Sequence, residues 1–263
     1  MKNVAFVFDL DKTIGYFTQL AIFMEAVEEY IKRQLKLKEF FKLMDMFPKI
    51  FRPDIFQIFE YLKCLKKKHK YVKVLIYTNN MGPKNWVNHI RKYIEYKLDY
   101  KLFNRTIAAW KVRGVVYEPC RTSHGKSLSD LIKCSNLIKN DKICFLDDQK
   151  HPQMIHRTVD YLYLHPYKYD YKFQNMSYIF SKSSLKTLIP DDKIKEFKSH
   201  VMFFSKTNPI GYLYIEGVNT VGYDKKAIMV FLKDFFKKNK KYTLTKKNTH
   251  NNKTQKNKKI KKK

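Results

Sequence analysis

Cysteine, tryptophan, glycine and proline are all scarce in this chain of 263 residues. The four cysteines, Cys64, Cys120, Cys134 and Cys144, show no C-x-x-C spacing. Two of them lie on apparent apolar helix or strand faces, so buried free thiols in a reducing compartment are expected. No stretch of about 18 uninterrupted apolar residues exists, which excludes a membrane-spanning helix from the expectation. A signal peptide is not expected either, because Asp9 and Asp11 interrupt the N-terminal apolar stretch. Cytosol or nucleus follows by elimination. No internal repeat occurs. Arginine is also rare, supplying only 7 of the 54 basic residues.

Lysine supplies the other 47, and the formal net charge is +30. Lys, Asn, Ile, Tyr and Phe are plentiful while Gly, Pro and Ala are sparse, as A/T-rich codon choice would produce. The other reading of the charge is an acidic partner such as nucleic acid, and composition leaves both open. The charge is uneven. Residues 237–263 hold thirteen lysines, one histidine and no acid. Such a segment cannot bury a core and is expected to be disordered. It reads as a contact for RNA or DNA, a nuclear address, or a solvated, compositionally biased tail.

The apolar runs are short and each ends in chemistry. Val4–Phe8 suits a strand buried on both faces of a parallel sheet. Asp9, Asp11 and the hydroxyl of Thr13 follow it. Alternate residues of extended chain point the same way, so the two carboxylates can face one site. Close carboxylates repel unless a proton or cation lies between them. A hard cation such as Mg²⁺ takes oxygen ligands. Val74–Tyr77 is a second run, ended by Thr78-Asn79-Asn80, and Ile143–Leu146 a third, ended by Asp147-Asp148. Between them His124-Gly125-Lys126-Ser127 opens an expected helix over 126–137. In open α/β sheets, ligands bind beyond the carboxyl ends of the strands, and that is where these groups fall.

With these residues in order, the sequence resembles the haloacid dehalogenase superfamily of phosphohydrolases. The resemblance covers roughly residues 3–167 and rests on Asp9-Leu10-Asp11-Lys12-Thr13, Thr78, Lys126 and Asp147-Asp148. It implies a Rossmann-like open parallel sheet with helices on both faces. It implies a phosphatase in which Asp9 is the nucleophile and Asp11 the proton donor and acceptor. Mg²⁺ would be held by Asp9, Asp147 and the Asp11 backbone carbonyl, with Asp148 completing the shell. Thr78, helped by Asn79, and Lys126 would bind the substrate phosphate. Within the superfamily, Arg52-Pro53, Leu102-Phe103-Asn104-Arg105 and Lys126-Ser127-Leu128-Ser129 are similar to the branch of NLI-interacting-factor and RNA polymerase II C-terminal-domain phosphatases. Lys12 departs from that branch, which usually has Glu there. So does Gln149-Lys150-His151-Pro152, where Ser-Pro is usual.

The expected organisation is a core over 1–167, an extension over 168–236 packed on it, and the tail over 237–263. Within the core, one helix is expected from Thr18 to about Lys38. The stretch 17–52 is either a small helical cap or a helical layer on the sheet. Pro83 is expected in the first turn of a helix that carries Trp86, Ile90 and Ile94. The extension should contain a helix over 191–204, glycine-punctuated strands or turns around Gly211, Gly217 and Gly222, and a helix over 227–236. His89 lies within an expected helix; His151 follows the acid pair and could line the site, with a surface or satisfied histidine as the leading expectation. The leading expectation is a Mg²⁺-dependent phosphatase for a phosphoprotein or a polynucleotide end. Two others compete with it: a catalytically silent module associated with nucleic acid, and a phosphatase for small metabolites.

Overall fold

Val4–Phe8 forms strand β1, and all five of its residues are buried. Alternation sends Val4, Phe6 and Phe8 to one face and Ala5 and Val7 to the other, and the two sets belong to separate apolar clusters. In the computed structural model, which describes residues 2–83, 85–112, 114–208 and 226–240, β1 is the middle strand of a five-stranded parallel sheet. Its neighbours are β2 (Val72–Tyr77), β3 (Arg105–Ile107), β6 (Lys142–Asp147) and β7 (Val159–Tyr163), in the order β3-β2-β1-β6-β7. A separate antiparallel pair, β4 (Lys111–Val112) and β5 (Val115–Val116), follows β3. The chain leaves β1 for one side of the sheet and returns on the other. The β1–β6 boundary is therefore the point where the strand order reverses, which opens a crevice at the strand ends.

The two faces are covered unequally. The first lies under α1 (Thr18–Tyr30), α3 (Ile55–Lys68), α4 (Trp86–Leu98) and a last helix, α8 (226–240). Phe8 meets Phe59 of α3 edge-on at 5.6 Å, and Phe6 meets Phe235 of α8 at 5.4 Å. Helical spacing creates each buried stripe: Leu20, Phe23, Met24 and Val27 on α1, Ile55, Phe59 and Leu62 on α3. The second face is thinner. Among the described residues, α5 (Leu128–Cys134), the loop residue Leu137 and a 3₁₀ turn at Pro152–Met154 close it, through Leu131, Cys134, Leu137 and Met154.

The segment 17–52 does not stand apart. It holds α1 and α2 (Leu37–Met46), whose Phe23 and Phe40 are fully buried in the first cluster. Residues beyond 167 pack against it through α6 (Phe173–Ser181) and α7 (Ile194–Thr207). Phe23 meets Phe180 at 6.0 Å, and Tyr30 meets Phe197 at 5.3 Å. No helix among the described residues is long and apolar enough to cross a membrane.

Several expected boundaries move. The helix expected over 18–38 is two helices. Lys32 turns left-handed at φ 53°, Glu28 accepts the backbone N–H of Leu35 at 2.8 Å, and Glu39 accepts that of Lys36 at 2.7 Å. Carboxylate acceptors thus stop one helix and start the next. Pro83 lies ahead of α4, because Asn80 Oδ1 accepts the N–H of Gly82 at 2.8 Å and holds 80–82 in a turn. Gly82 is required there, since a Cβ would sit 2.7 Å from the Trp86 ring. The helix expected over 126–137 covers only Leu128–Cys134, with Ser127 as its cap accepting the Asp130 N–H at 3.1 Å. Cys120 and Cys134 are not free thiols but a disulfide; Cys144 is free and buried, and Cys64 is free and exposed. Residues 237–240, expected in the tail, continue α8, anchored by buried Phe235, Phe236 and Asn239. The glycine-punctuated stretch around 211–222 and residues 241–263 lie outside the described residues.

Candidate active site

Five side chains expected at one site meet at the carboxyl ends of β1 and β6. Lys126 Nζ bridges Asp9 Oδ1 and Asp147 Oδ2, the latter at 2.7 Å. All three residues are buried. Asp148 is fixed by Thr13: the Thr13 hydroxyl donates to Asp148 Oδ1 at 3.2 Å, and the Asp148 N–H donates back at 3.1 Å. Asp11 is held by Asn80, whose Nδ2 donates to Asp11 Oδ2 at 2.6 Å. The Asp147 carboxylate also accepts the Gln149 N–H at 2.8 Å and has His151 Nε2 3.2 Å away.

Thr78 is buried at the end of β2, and its hydroxyl accepts the Asn80 N–H at 3.0 Å, leaving its own proton to donate. Asn79 is directed elsewhere: its Oδ1 accepts from Arg121 Nη2 at 2.7 Å. Asn80, not Asn79, is the amide that reaches a site carboxylate. His151, read as a surface or satisfied histidine that could line the site, borders the carboxylate cluster.

Two buried arginines build the walls. Arg121 donates to the carbonyls of Thr78 at 3.0 Å and Ala108 at 2.7 Å, and to those of His124 and Gly125 just before Lys126. Its guanidinium also lies over the Tyr77 ring, 4.9 Å from the centroid. Arg52 does the same for the loop after β1, donating to the carbonyls of Lys12, Thr13 and His165 at 2.6, 2.7 and 2.7 Å. Lys12 is left-handed at φ 58°. A side-chain-bearing residue rarely takes that conformation, and Arg52 together with the Tyr167 N–H, 2.8 Å from the Lys12 carbonyl, fixes it.

Of the four carboxylates, Asp9 and Asp147 pair with the Lys126 ammonium. Burial pushes Asp9 up to about 7; Asp147 and Asp11 add repulsion while Lys126 works against it. Burial pushes Asp11 up to about 6 against the hydrogen bond from Asn80. Asp148 is raised by burial and by its neighbour Asp147. Asp147 moves the other way. Burial opposes its charge, but His151, Lys126 and the Gln149 N–H hold it below the usual carboxylate range. Burial also opposes the charge on Lys126, and Asp9 and Asp147 together outweigh it and keep the ammonium charged. Excess negative charge in a closed site takes up protons or a cation.

A cation fits the donor set. Oxygens of Asp9, Asp147 and Asp148 lie within 4.8 Å of one another. Asp11 Oδ1 is buried with no hydrogen-bond partner among the described residues. Among the described residues this is the only cluster of three metal-ligating side chains, and its ligands are oxygens, which suit a hard divalent ion.

Beside Asn80 a groove of about 870 Å³ runs between α1 and β3, with Glu28, Gln34, Met81, Asn104 and Tyr117 among its walls. No family model, curated protein or solved structure matches the chain.

Sequence reasoning missed Asn80, Arg121 and the reciprocal Thr13–Asp148 pair. One signal was present: in a chain that uses 47 lysines and 7 arginines, an arginine marks a place where a lysine cannot do the work, because only the planar fork reaches several carbonyls at once.

Proposed function

We propose that this chain is a Mg²⁺-dependent phosphohydrolase of the haloacid dehalogenase type, acting on an exposed phosphate monoester of a phosphoprotein or a polynucleotide end. The observation that carries the reading is the gathering of Asp9, Asp11, Asp147 and Asp148 at the switch point of a parallel sheet, with the Lys126 ammonium between Asp9 and Asp147. The groove beside Asn80, the residue that holds Asp11, would leave room next to the site for the flanks of a large substrate. Arg52 against the Lys12 and Thr13 carbonyls, and Asn104, whose Oδ1 accepts the Val74 N–H at 3.0 Å, give structural roles to residues that favour the C-terminal-domain phosphatase branch.

Asp9, Asp147 and Asp148, with the Asp11 carbonyl, would hold the metal. When bound, Mg²⁺ neutralises phosphoryl charge that would otherwise repel an anionic nucleophile. A carboxylate oxygen of Asp9 attacks phosphorus, forming an aspartyl-phosphate and splitting one hard step into two. Asp11, with a pKa near 6 and an unpartnered oxygen, gives its proton to the leaving alcohol. It then takes a proton from the water that cleaves the acyl phosphate. Asn80 fixes the orientation of Asp11 through both steps. The Thr78 hydroxyl and the Lys126 ammonium stabilise the equatorial oxygens of the transition state. Lys126 then exchanges part of its contact with Asp9 for the phosphoryl group.

The test is hydrolysis of an aryl phosphate with and without Mg²⁺, for the parent and Asp9→Asn. Loss of a nucleophile should lower the rate by several orders of magnitude. Activity that survives chelation, or an Asp9→Asn variant as fast as the parent, overturns the mechanism. A protein inert to phosphopeptides, phosphorylated oligonucleotides and small esters alike leaves the non-catalytic nucleic-acid module as the better reading.

A further inference from the structure

The Cys120–Cys134 disulfide, with Cα atoms 5.2 Å apart, closes a loop that contains Arg121, Lys126 and nearly all of α5. The loop is stitched to the site from within. Arg121 holds the carbonyls of His124 and Gly125 to those of Thr78 and Ala108. The Ser127 N–H donates to the Tyr77 hydroxyl at 3.1 Å. Thr122 closes the ring internally, its N–H donating to Asp130 Oδ2 at 3.0 Å. The two sulfurs differ in access: Cys134 is buried in the second cluster, whereas Cys120 is half-buried at the loop entrance.

We propose that Cys120 and Cys134 form a reversible redox clamp that sets the position of Lys126, and so regulates the site. The physical need for a clamp follows from the charges. A cation held by Asp9 and Asp147 takes away the attraction that keeps the Lys126 ammonium in place and replaces it with repulsion. The covalent ring then retains the lysine. Closing a loop of about 15 residues removes open conformations worth roughly a hundredfold in the closed-to-open ratio.

Oxidation needs a small-molecule disulfide, such as oxidised glutathione. The Cys120 thiolate attacks one sulfur and releases the first small thiol, and the Cys134 thiolate then displaces the second. One external S–S bond is broken, the Cys120–Cys134 bond forms, and the two protein thiol protons end on the two released thiols. A dithiol reductant reverses the exchange.

The activity readout rests on the phosphohydrolase reading, and the structural readout does not. In a Cys64→Ser background, which removes the exposed free thiol, the full chain is equilibrated with oxidised glutathione or with dithiothreitol. Disulfides are mapped by mass spectrometry, acylation of the Lys126 amine is followed by a water-soluble ester with and without Mg²⁺, and kcat/KM is measured on an aryl phosphate. The oxidised form should show the Cys120–Cys134 peptide and a protected Lys126. Reduction should raise Lys126 acylation in Mg²⁺ about tenfold and lower kcat/KM by about the same factor. Cys120→Ser should match the reduced parent and ignore glutathione; if it fails to fold, reduction of the parent decides alone. Two results overturn the clamp: Cys120 and Cys134 remaining thiols in oxidised glutathione, or a mapped disulfide whose reduction leaves Lys126 acylation unchanged. Absence of turnover in both redox states counts against the phosphohydrolase, while acylation still decides the clamp.

Discussion

Asp11→Asn should make the metal-free protein more stable while disabling it. Asp11 is half-buried with its Oδ1 shut off from solvent, its pKa is lifted from 3.8 to about 6, and desolvation is the largest cause. An unfolded chain surrenders that proton near pH 4 and the folded one holds it until about pH 6. The proton's contribution to stability is therefore complete below pH 4 and lost as pH rises through 6. At about pH 8 the ionised carboxylate costs the fold on the order of 3 kcal/mol, from about two units at 1.4 kcal/mol each. Asparagine avoids that cost and keeps an oxygen for the Asn80 amide, though a neutral acceptor makes the weaker bond. A net gain of about 1–2 kcal/mol should remain, or roughly 3–6 °C in Tm for a chain of this size. The assay is thermal unfolding in chelator across pH 4–8, followed by Mg²⁺ addition. The parent should lose stability from pH 4 upward more steeply than the variant and regain more of it with Mg²⁺. An Asp11→Asn protein that melts at or below the parent in chelator at high pH would refute the view that this carboxylate is held at a cost.

Removing the Arg121 guanidinium leaves buried carbonyls of Thr78 and Ala108 without donors. Arg121→Ala should lose about 2–4 kcal/mol in urea unfolding, and Arg121→Lys should fold better yet turn over an aryl phosphate about tenfold more slowly, because one ammonium cannot span those carbonyls. Residues 241–263 hold ten of the thirteen lysines counted from 237. Deleting them should flatten the slope of log affinity for single-stranded RNA against log salt by about 3–4 units if half engage, with aryl phosphate turnover unchanged; equal slopes in a salt titration would mark the lysines as compositional bias.

The strands and carboxylates were legible because their signal is local. Val4–Phe8 declares a doubly buried strand by having no polar face, and Asp9, Asp11, Asp147 and Asp148 announce themselves at strand ends. The partners were not legible. Asn80 and Asn79 are adjacent and chemically identical, and only the turn that Asn80 makes with Gly82 decides which one reaches Asp11. The split between α1 and α2 was hidden for a related reason: Ile31 and Leu35 keep the helical spacing straight through the break. The disulfide was hidden because residues 14 apart in sequence meet only once α5 has docked.

The packing of α8 on β1 ties two segments far apart in the chain together in time as well as space. Phe235 leaves the ribosome long after its ring partner Phe6. Until then that face of the strand that presents Asp9 is covered in part, with Phe8 under α3 and the Phe6 ring still without its partner. A nascent chain in this state exposes a sticky surface and depends on chaperones or on rapid completion. Premature termination anywhere before α8 should therefore yield product for degradation rather than a weakened protein.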